Sequence, residues 1–396
     1  MKQMGKFYYL FWSAILFVNL LFLTALFAIN SGPKILLSPV SVRESAATKT
    51  EISLSKFEEN PFPEREYHIL LLGLDGRKGD NKPRCDAVHI FSFSPKFNYL
   101  LISSIPRGTF LSPETDSTYL ANSCSRNGIE YTIGQIEKMS QFKIDAVVKV
   151  GFSETLGIFR TLKMPTTATL QFLRSRRYPI GDNQRSHNQA LFIKDMITAH
   201  FEEFYNMPQS IKSWLLNTVD TDLTYHQAEY LLQSFYQNGV YKNPDNILLE
   251  TLPKQSPYVK DLHLPEVEYQ PEIKDQSFKE YQQNLIDYQE NLILRASNLL
   301  KSGKTESARK LIEIPFSQKL WLQLENETER QDLHYRFLEV YAQSIIEKSE
   351  LNEVLNNYLQ EMTAFQNGQY IAKAESLLSA YLPDLRADIE SKYAVN

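Results

Sequence analysis

Short apolar runs separated by polar turns dominate the chain from residue 67 onward. Residues 67–74, 87–93 and 99–105 are apolar or alternating stretches bounded by glycine, proline, asparagine and aspartate, a pattern typical of β-strands. Residues 146–150 and 166–172 have the same character. The pattern therefore predicts strands at all five places.

Apolar residues recur at helical intervals between and after these predicted strands. The spacing is found at residues 129–141, 152–162 and 184–205, and it predicts amphipathic helices there. Strands interleaved with helices favour an α/β fold in which helices cover a sheet.

The composition changes at about residue 281, where glycine and proline become rare and helix-forming residues predominate. Two stretches around Gly303 and Gly368 resemble each other, each with an alanine five or six residues after the glycine and leucines beyond it. They are similar to the tetratricopeptide helix–turn–helix unit, with residues 333–358 as a poorly matching unit between them. An ordinary all-α bundle explains the pattern equally well.

Residues 7–29 form an apolar segment of 23 residues without charge, which is long enough to cross a bilayer as one helix. Lys2 and Lys6 precede it, so the positive-inside rule predicts a cytoplasmic N-terminus and an extracytoplasmic location for the bulk of the chain. A cleaved signal peptide is the alternative, but its apolar region is normally shorter and no clear A-x-A site follows. The segment therefore favours a single-pass membrane anchor.

These patterns divide the chain into five regions. Residues between the anchor and the first strand are rich in serine, threonine, glutamate and proline, a composition typical of a spacer. The predicted regions are a cytoplasmic stub with the transmembrane anchor (1–30), an extracytoplasmic linker (31–66), an α/β domain (67–255), a second linker (256–280) and a helical C-terminal domain (281–396).

Charge and cysteine content narrow the range of partners. The net charge of −5 and the absence of a long Lys/Arg run argue against nucleic-acid binding. Ten of the sixteen arginines nevertheless lie between Arg65 and Arg185, and the planar guanidinium suits phosphate recognition better than an ammonium group does. Cys85 and Cys124 both lie on the predicted exported side. They could form a disulfide there or remain two buried free thiols, and the sequence does not distinguish these alternatives.

Charged side chains are concentrated where the predicted strands end. Asp75, Arg77, Arg84 and Asp86 lie between the first two strands, and Arg107 follows the third. Guanidiniums gathered at one edge of a sheet repel one another unless an anion lies between them. Two aspartates among them can serve as ion-pair partners or as ligands of a hard cation such as Mg²⁺.

A second charged group surrounds the last predicted strand and the helix after it. Arg174 and Arg176 are predicted to point to one face of an extended strand. Asp182, Arg185 and Gln189 share one side of the following helix, whose N-terminus favours an anion. Arginines at four strand exits, two of them with an aspartate, indicate a pyrophosphate with its metal ion as the ligand.

The order of these residues resembles the LytR-CpsA-Psr family. The family pattern runs roughly L-L-L-G-x-D-x-R, S-R-S-D-T, S-I-P-R-D-T, R-x-R, G-D, R and R-Q, and this chain has LLLGLDGR, PRCDA, SIPRGT, RSR, GD and RSHNQ in the same order. The resemblance covers about residues 65–255, including the closing segment LLNTVDTDLTYHQAEYLL.

The resemblance implies a mixed sheet flanked by helices. One end of this fold would grip a polyprenyl pyrophosphate, and the lipid tail would lie in an apolar tunnel between sheet and helices, for which Phe152, Phe159, Leu162 and Leu170 are candidate wall residues. The implied location is the bacterial cytoplasmic membrane, with the α/β domain on its outer side. The implied activity moves a lipid-linked glycopolymer onto peptidoglycan or another envelope acceptor as a phosphodiester.

The resemblance also implies roles for the matching residues. Asp75 and Asp86 would bind Mg²⁺, and Arg107 would act with them in catalysis. Asp182 would orient Arg185, and Gln189 would contact a phosphate oxygen. The phosphate clamp would consist of Arg77, Arg84, Arg107, Arg174, Arg176 and Arg185. Such a set suits phosphoryl transfer, in which positioning and charge neutralisation supply most of the catalysis.

Departures from the family pattern keep other hypotheses open. Gly108 stands at the position of an aspartate, Asn188 at that of an arginine, and the stretch between residues 159 and 169 is short. The chain is therefore either a transferase or a catalytically impaired receptor for the carrier lipid or the envelope polymer. A third hypothesis is structural, with the helical domain binding a protein partner and scaffolding an envelope complex.

Overall fold

The computed structural model of the protein describes residues 65–76, 82–94, 96–111, 119–164, 166–174, 181–254, 259–263 and 274–381. All of these residues belong to one compact unit, Asn60–Asn396. The predicted membrane segment at residues 7–29 lies outside the described residues. Within the described ranges, no helix is long and apolar enough to cross a bilayer.

The centre of the α/β part is a six-stranded mixed sheet in the order β5-β4-β1-β2-β3-β6. β1 pairs antiparallel with β2 and parallel with β4, and β3 pairs parallel with β6. The strands are β1 (Tyr67–Asp75), β2 (Arg84–Phe93), β3 (Leu100–Ser104), β4 (Ala146–Gly151), β5 (Asp220–Thr221) and β6 (Ile247–Thr251). The first four confirm predicted strands, and the mixed sheet flanked by helices confirms the predicted fold class.

Helices cover both faces of this sheet and continue beyond it. The helices of the α/β part are α1 (Leu120–Asn127), α2 (Ile129–Ser140), α3 (Phe152–Thr161), α4 (Thr166–Arg174), α5 (Asp182–Tyr205), α6 (Gln209–Thr218) and α7 (Tyr225–Asn238). Those of the C-terminal region are α8 (Lys274–Lys301), α9 (Thr305–Ser317), α10 (Glu327–Ser344), α11 (Lys348–Ala364) and α12 (Gly368–Tyr381). Helices α2, α3 and α5 confirm the three that the spacing predicts.

One face of the sheet packs tightly against α1 and α2. Leu120 and Ile136 on these helices join Leu72 and other buried strand residues in a single apolar cluster. A disulfide between Cys85 and Cys124, with a Cα–Cα distance of 5.8 Å, ties β2 to α1 on this side. Of the two alternatives for the cysteines, the structure therefore has the bridge.

The other face of the sheet carries α3 to α7 and the candidate site. Because side chains alternate along a strand, Ile69 and Leu71 of β1 face these helices whereas Leu72 faces α2. Phe93, Phe201 and Phe235 meet in one cluster at one end of this face. One of the two cavities of this face lies toward the carboxyl ends of β1 and β4, and the other extends to this cluster.

The strand expected at residues 166–172 is wrong, because these residues form helix α4. Of the side chains that are described in this segment, Thr166, Thr169 and Phe172 are buried, and positions three apart lie on one face of a helix. The β-branched threonines lower helix propensity only slightly, so packing decides the outcome.

The C-terminal region is all-α, as predicted, with one continuous apolar core. Gly303 has φ 72° in the turn before α9, and in the matching turn before α12 the residue with positive φ is Gln366 at 54°. The two turns share their hydrogen bonds, because Lys304 N–H donates to Leu299 O and Asn367 N–H donates to Met362 O. Gly303 is thus structurally equivalent to Gln366, and the expected equivalence with Gly368 is wrong by two residues.

The C-terminal region packs directly onto α3 through the 3₁₀ turn Leu320–Gln323. Arg160 of α3 donates a hydrogen bond to the carbonyl of Leu322 at 2.7 Å, and Gln323 donates to the Ser153 hydroxyl at 2.9 Å. A Cβ on Gly157 would lie 3.2 Å from Leu322 Cδ1, so a glycine at this position lets the two surfaces meet. The helix that lines the cavities on one side is therefore held from the other side by the C-terminal region.

Candidate functional site

A β-bulge places Asp86 at the edge of the site. Leu74 of β1 pairs with Cys85, and Gly73 pairs with Ala87, so Asp86 is the extra residue on β2. A bulge bends the strand locally and redirects a side chain. Asp75 is the last residue of β1, and both carboxylates line the same cavity.

Three arginines contact the aspartates at the carboxyl ends of the strands. Arg107 lies 2.5 Å from Asp86 Oδ1 and 3.3 Å from Asp182 Oδ1. Arg185 lies 3.2 Å from Asp86 Oδ2 and also donates to the Asp86 carbonyl at 3.1 Å. A fourth ion pair joins Arg84 to Asp75 at 3.0 Å.

Burial separates the ion pairs into two kinds. Arg185 and Asp86 are 7% and 16% exposed, whereas Arg84 is 45% exposed. The Arg107–Asp86–Arg185 group is therefore shielded from water and its electrostatic interactions are strong, while the Arg84–Asp75 pair is screened by solvent. A ligand phosphate entering this site would find two guanidiniums already oriented by one carboxylate.

Gln189 and His89 extend the site inward. Gln189 donates from Nε2 to the Leu173 carbonyl at 3.0 Å, and its Oε1 lies 3.3 Å from His89 Nε2. His89 Nδ1 lies 2.9 Å from the Ser104 hydroxyl. Burial lowers the pKa of His89 to about 4, so the ring is neutral near pH 7. A neutral His89 can donate from Nε2 to Gln189 while Nδ1 accepts from Ser104.

Asp86, His89, Arg185 and Gln189 line a cavity of about 340 Å³. Its walls are mostly apolar, and its polar residues include Asp75, Asp86, Arg174, Arg185 and Gln189. The guanidinium of Arg174 lies 5.5 Å from the centre of the Phe152 ring, a cation–π contact that holds the arginine at the cavity wall.

A second, apolar cavity of about 480 Å³ lies beside the first, between the sheet and α5 to α7. Leu71, Val148, Ile158 and Val219 line both cavities, so the two share a wall. We call the first the charged cavity and the second the apolar tunnel. Of the candidate tunnel residues, Phe152 and Phe159 line the charged cavity and Leu162 lines the apolar tunnel. The side chain of Leu170 lies outside the described part of the structure.

The structure brings most of the predicted site residues together. The element that carries one of them and the contact partner of another differ from the prediction. Arg174 reaches the cavity from the last turn of helix α4, so the expected delivery from a strand is wrong. Arg77 and Arg176 lie outside the described residues. Asp182, expected to orient Arg185, contacts Arg107, and Arg84 does not line either cavity.

The three departures from the family pattern can be located in the structure. A Cβ on Gly108 would lie 3.0 Å from Asp182 Oδ2, so the carboxylate of Asp182 occupies the space beside this glycine. Asn188 is buried and accepts a hydrogen bond from Gln184 at 2.7 Å, and Gln184 also donates to the Lys260 carbonyl at 2.7 Å. The short stretch after residue 159 leads from α3 into α4 after four residues.

His89 is a residue of the site that the sequence analysis did not identify. The register of β2 could have indicated this residue. His89 points to the same face of the strand as Ala87 and Phe91, and both of these residues also line the cavities. Only the bulge at Asp86 places Asp86 and His89 along the same cavity, and a bulge is not visible in the apolar pattern.

The carboxylates of Asp75 and Asp86 are chemically suitable ligands for a magnesium ion. Two carboxylates beside a phosphate-sized cavity match the preference of Mg²⁺ for oxygen ligands, of which protein side chains usually supply one or two. Within the described ranges, no group of three or more His, Cys, Asp or Glu side chains could hold a metal ion alone. Any bound Mg²⁺ would therefore depend on ligand oxygens and water as well as the two aspartates.

Comparisons with known proteins agree with the motifs. Residues 38–155 match the model of the LytR_cpsA_psr family, a range that includes Asp75, Asp86 and Arg107 but not the residues of α4 and α5. No protein in the curated collection matches the chain.

The solved structures that match are weakly similar. TagV of B. subtilis is 17% identical, with 52% of this chain and 94% of that chain covered and a TM-score of 0.39. TagT bound to LI-WTA is 16% identical, with 53% and 87% covered and a TM-score of 0.38. A protein of Enterococcus faecalis titled a transcriptional regulator is 14% identical, with 68% and 92% covered and a TM-score of 0.39.

Proposed function

We propose, for a chain whose residues 38–155 carry the LytR_cpsA_psr family pattern, that the protein is an extracytoplasmic glycopolymer phosphotransferase. It takes a glycopolymer linked to a polyprenyl pyrophosphate and transfers it to peptidoglycan or another acceptor of the bacterial envelope. The segment at residues 7–29 anchors it in the cytoplasmic membrane, with the N-terminus in the cytoplasm.

The observation that carries this proposal is the shared wall between the charged cavity and the apolar tunnel. A ligand that fills both must be an anion at one end and a hydrocarbon at the other. Burying the hydrocarbon contributes about 0.8 kcal/mol per CH₂ group, and the arginines bind the phosphates through charge-assisted hydrogen bonds. A polyprenyl pyrophosphate has this form.

The site residues would then act on the phosphate that links lipid and glycan. The acceptor hydroxyl oxygen forms a bond to the glycan-linked phosphorus, the P–O–P bond breaks, polyprenyl phosphate leaves, and the hydroxyl proton is released. Arg107, Arg174 and Arg185 neutralise the charge that develops on the phosphate oxygens. Asp75 and Asp86 would hold Mg²⁺, which supplies further charge neutralisation at the pyrophosphate.

Alanine substitution tests the assignment. We expect Asp75→Ala, Arg107→Ala or Arg174→Ala to reduce polymer attachment by at least about a hundredfold, because each removes a group that stabilises the transition state. The unfolding transition should remain cooperative, since Asp75 and Arg174 line the cavity and all three side chains lie outside the main apolar clusters. Attachment assays with purified lipid-linked polymer and acceptor measure the effect. Normal attachment by all three variants would refute the enzymatic function.

A second candidate function is a receptor that binds the carrier lipid without transfer. Asn188 favours it, because this side chain bonds to Gln184 and adds no positive charge to the cavity. A receptor would bind a polyprenyl pyrophosphate with no metal-dependent release of polyprenyl phosphate, whereas the transferase would release it when acceptor and Mg²⁺ are present. Measuring that release separates the two functions.

A further inference from the structure

The wall of the apolar tunnel contains an ion pair between two of its helices. Lys212 of α6 lies 2.9 Å from Glu229 Oε1 of α7. Among the described residues that line the tunnel, these two carry charge, and the others are apolar apart from Tyr225. A charged pair in an otherwise hydrocarbon-like wall marks a boundary for any apolar ligand.

This ion pair lies away from the phosphate-binding residues, because neither residue lines the charged cavity. Val219, just beyond α6, lines both cavities, whereas Lys212 lines the tunnel alone. Lys212 precedes Val219 by seven residues, which corresponds to about 10 Å along a helix at 1.5 Å per residue. The tunnel therefore runs along α6 from its C-terminal end, at the charged cavity, toward Lys212.

Neighbouring groups hold the pair in place. Lys212 Nζ also lies 3.4 Å from the Tyr205 carbonyl and 5.5 Å from the centre of its ring. The Tyr225 hydroxyl donates to Glu229 Oε2 at 3.2 Å, and burial next to that carboxylate raises the pKa of Tyr225 to about 12. The network therefore joins the end of α5 to α6 and α7 in the wall of the tunnel.

The pair is only partly withdrawn from water. The side chain of Lys212 is 10% exposed and that of Glu229 is 34% exposed. Hydrocarbon packed against the pair would remove the remaining hydration of both ions, and desolvation of an ion pair is not recovered by contact with CH₂ groups. A prenyl tail that reaches this point therefore gains no further binding free energy from additional length.

We propose that Lys212 and Glu229 determine the length of prenyl chain that the site binds. This role rests on the proposed function, since it assumes that the tunnel accepts a prenyl tail. It predicts that affinity increases with chain length until the tail meets the pair and is constant for longer chains.

The test is a calorimetric titration of the full chain with prenyl pyrophosphates of increasing length. The ligands are geranyl, farnesyl, geranylgeranyl, heptaprenyl and undecaprenyl pyrophosphate. For the unaltered protein we expect at least about a tenfold gain in affinity per added isoprenoid unit, then a plateau. In the double variant Lys212→Leu, Glu229→Leu the tunnel wall becomes apolar, and the plateau should move to a longer chain. Geranyl pyrophosphate should bind both proteins equally, within about twofold, because it does not reach the pair.

A matched control replaces an ion pair elsewhere. Arg336 and Glu290 lie 3.0 Å apart, join α10 to α8 and line neither cavity, so Arg336→Leu with Glu290→Leu should leave the plateau unchanged. A second variant, Lys212→Met with Glu229→Gln, keeps the side-chain length and removes the charge. It should shift the plateau in the same direction, and it tests the role of the pair even if the leucine variant misfolds.

The two levels of inference fail differently. If short prenyl pyrophosphates bind and the plateau is the same in all variants, the role of Lys212 and Glu229 is overturned while the proposed function stands. If the unaltered protein binds no prenyl pyrophosphate of any length, the proposed function fails and the inference fails with it.

Discussion

Asp86 shows how one residue organises the candidate site. Two arginines that are separated by 78 positions, Arg107 and Arg185, contact its carboxylate, and the bulge on β2 directs it there. A carboxylate between two guanidiniums offsets their mutual repulsion in the absence of ligand. An incoming phosphate can then replace Asp86 as the partner of one or both arginines.

His89 provides a prediction about pH at the same scale. Its pKa of about 4 in the folded protein is below the ordinary value of 6.5 because of burial. The unfolded chain therefore binds a proton near pH 6.5 while the folded chain does not, and stability that is present above pH 6.5 is lost as the pH falls toward 4. The full loss corresponds to about 3 kcal/mol.

Urea unfolding of the unaltered protein and His89→Gln at pH 7, 5.5 and 4 measures this loss. We expect the difference in unfolding free energy between them to shrink or reverse as the pH falls, because glutamine does not titrate. Glu361, whose pKa burial raises to about 7, titrates in both proteins and cancels in the comparison. Parallel stability curves would contradict the buried neutral state of His89.

The sequence predicted site residues where spacing along the chain is sufficient. Asp75, Asp86 and Arg107 follow from apolar runs that end in charge, and Arg185 follows from the helix that carries it. The partner of each could not be predicted, because Arg107 bonds to both Asp86 and Asp182 only after three distant segments have packed. Sequence order fixes which groups are available, whereas packing selects the pairs.

At the scale of elements, long periodic segments were predictable and short ones were not. Helix α5 and strands β1 to β4 have enough residues for their periods to be distinct. Segment 166–174 is short and rich in threonine, so its helical conformation is visible only in the structure. Strand β5 has two residues, too few for any pattern.

Helix α3 yields a prediction because it separates the cavities from the C-terminal region. Phe152, Ile158 and Phe159 line the cavities, and Gly157 faces Leu322. We expect Gly157→Val to lower the free energy of unfolding by about 1–3 kcal/mol through overpacking, and to weaken prenyl pyrophosphate binding as α3 shifts.

Gly134→Val is the matched control, because a Cβ at Gly134 meets no atom within 4 Å. A valine in this helical position should be neutral or slightly stabilising relative to glycine. Chemical denaturation and ligand titration of both variants provide the comparison. Equal behaviour of the two would show that the contact with Leu322 does not constrain α3.

At the scale of the whole molecule, the α/β part and the C-terminal helices form one unit. Thr166 donates to Glu325 at 2.7 Å, and Lys319 donates to the Thr218 carbonyl at the end of α6 at 2.7 Å. The C-terminal region thus contacts α3, α4 and α6, which surround the cavities. Its tetratricopeptide character, its protein partner and the predicted domain boundaries stay predictions.

The central claim is that the charged cavity and the apolar tunnel form a single site for one amphipathic molecule. Its most direct test compares the affinities of farnesyl pyrophosphate, inorganic pyrophosphate and farnesol for the full chain. We predict one farnesyl pyrophosphate per chain, bound at least about a hundredfold more tightly than either part because the two interactions are linked, and displaced by excess pyrophosphate. Farnesyl pyrophosphate bound no more tightly than farnesol, and unaffected by pyrophosphate, would contradict the claim.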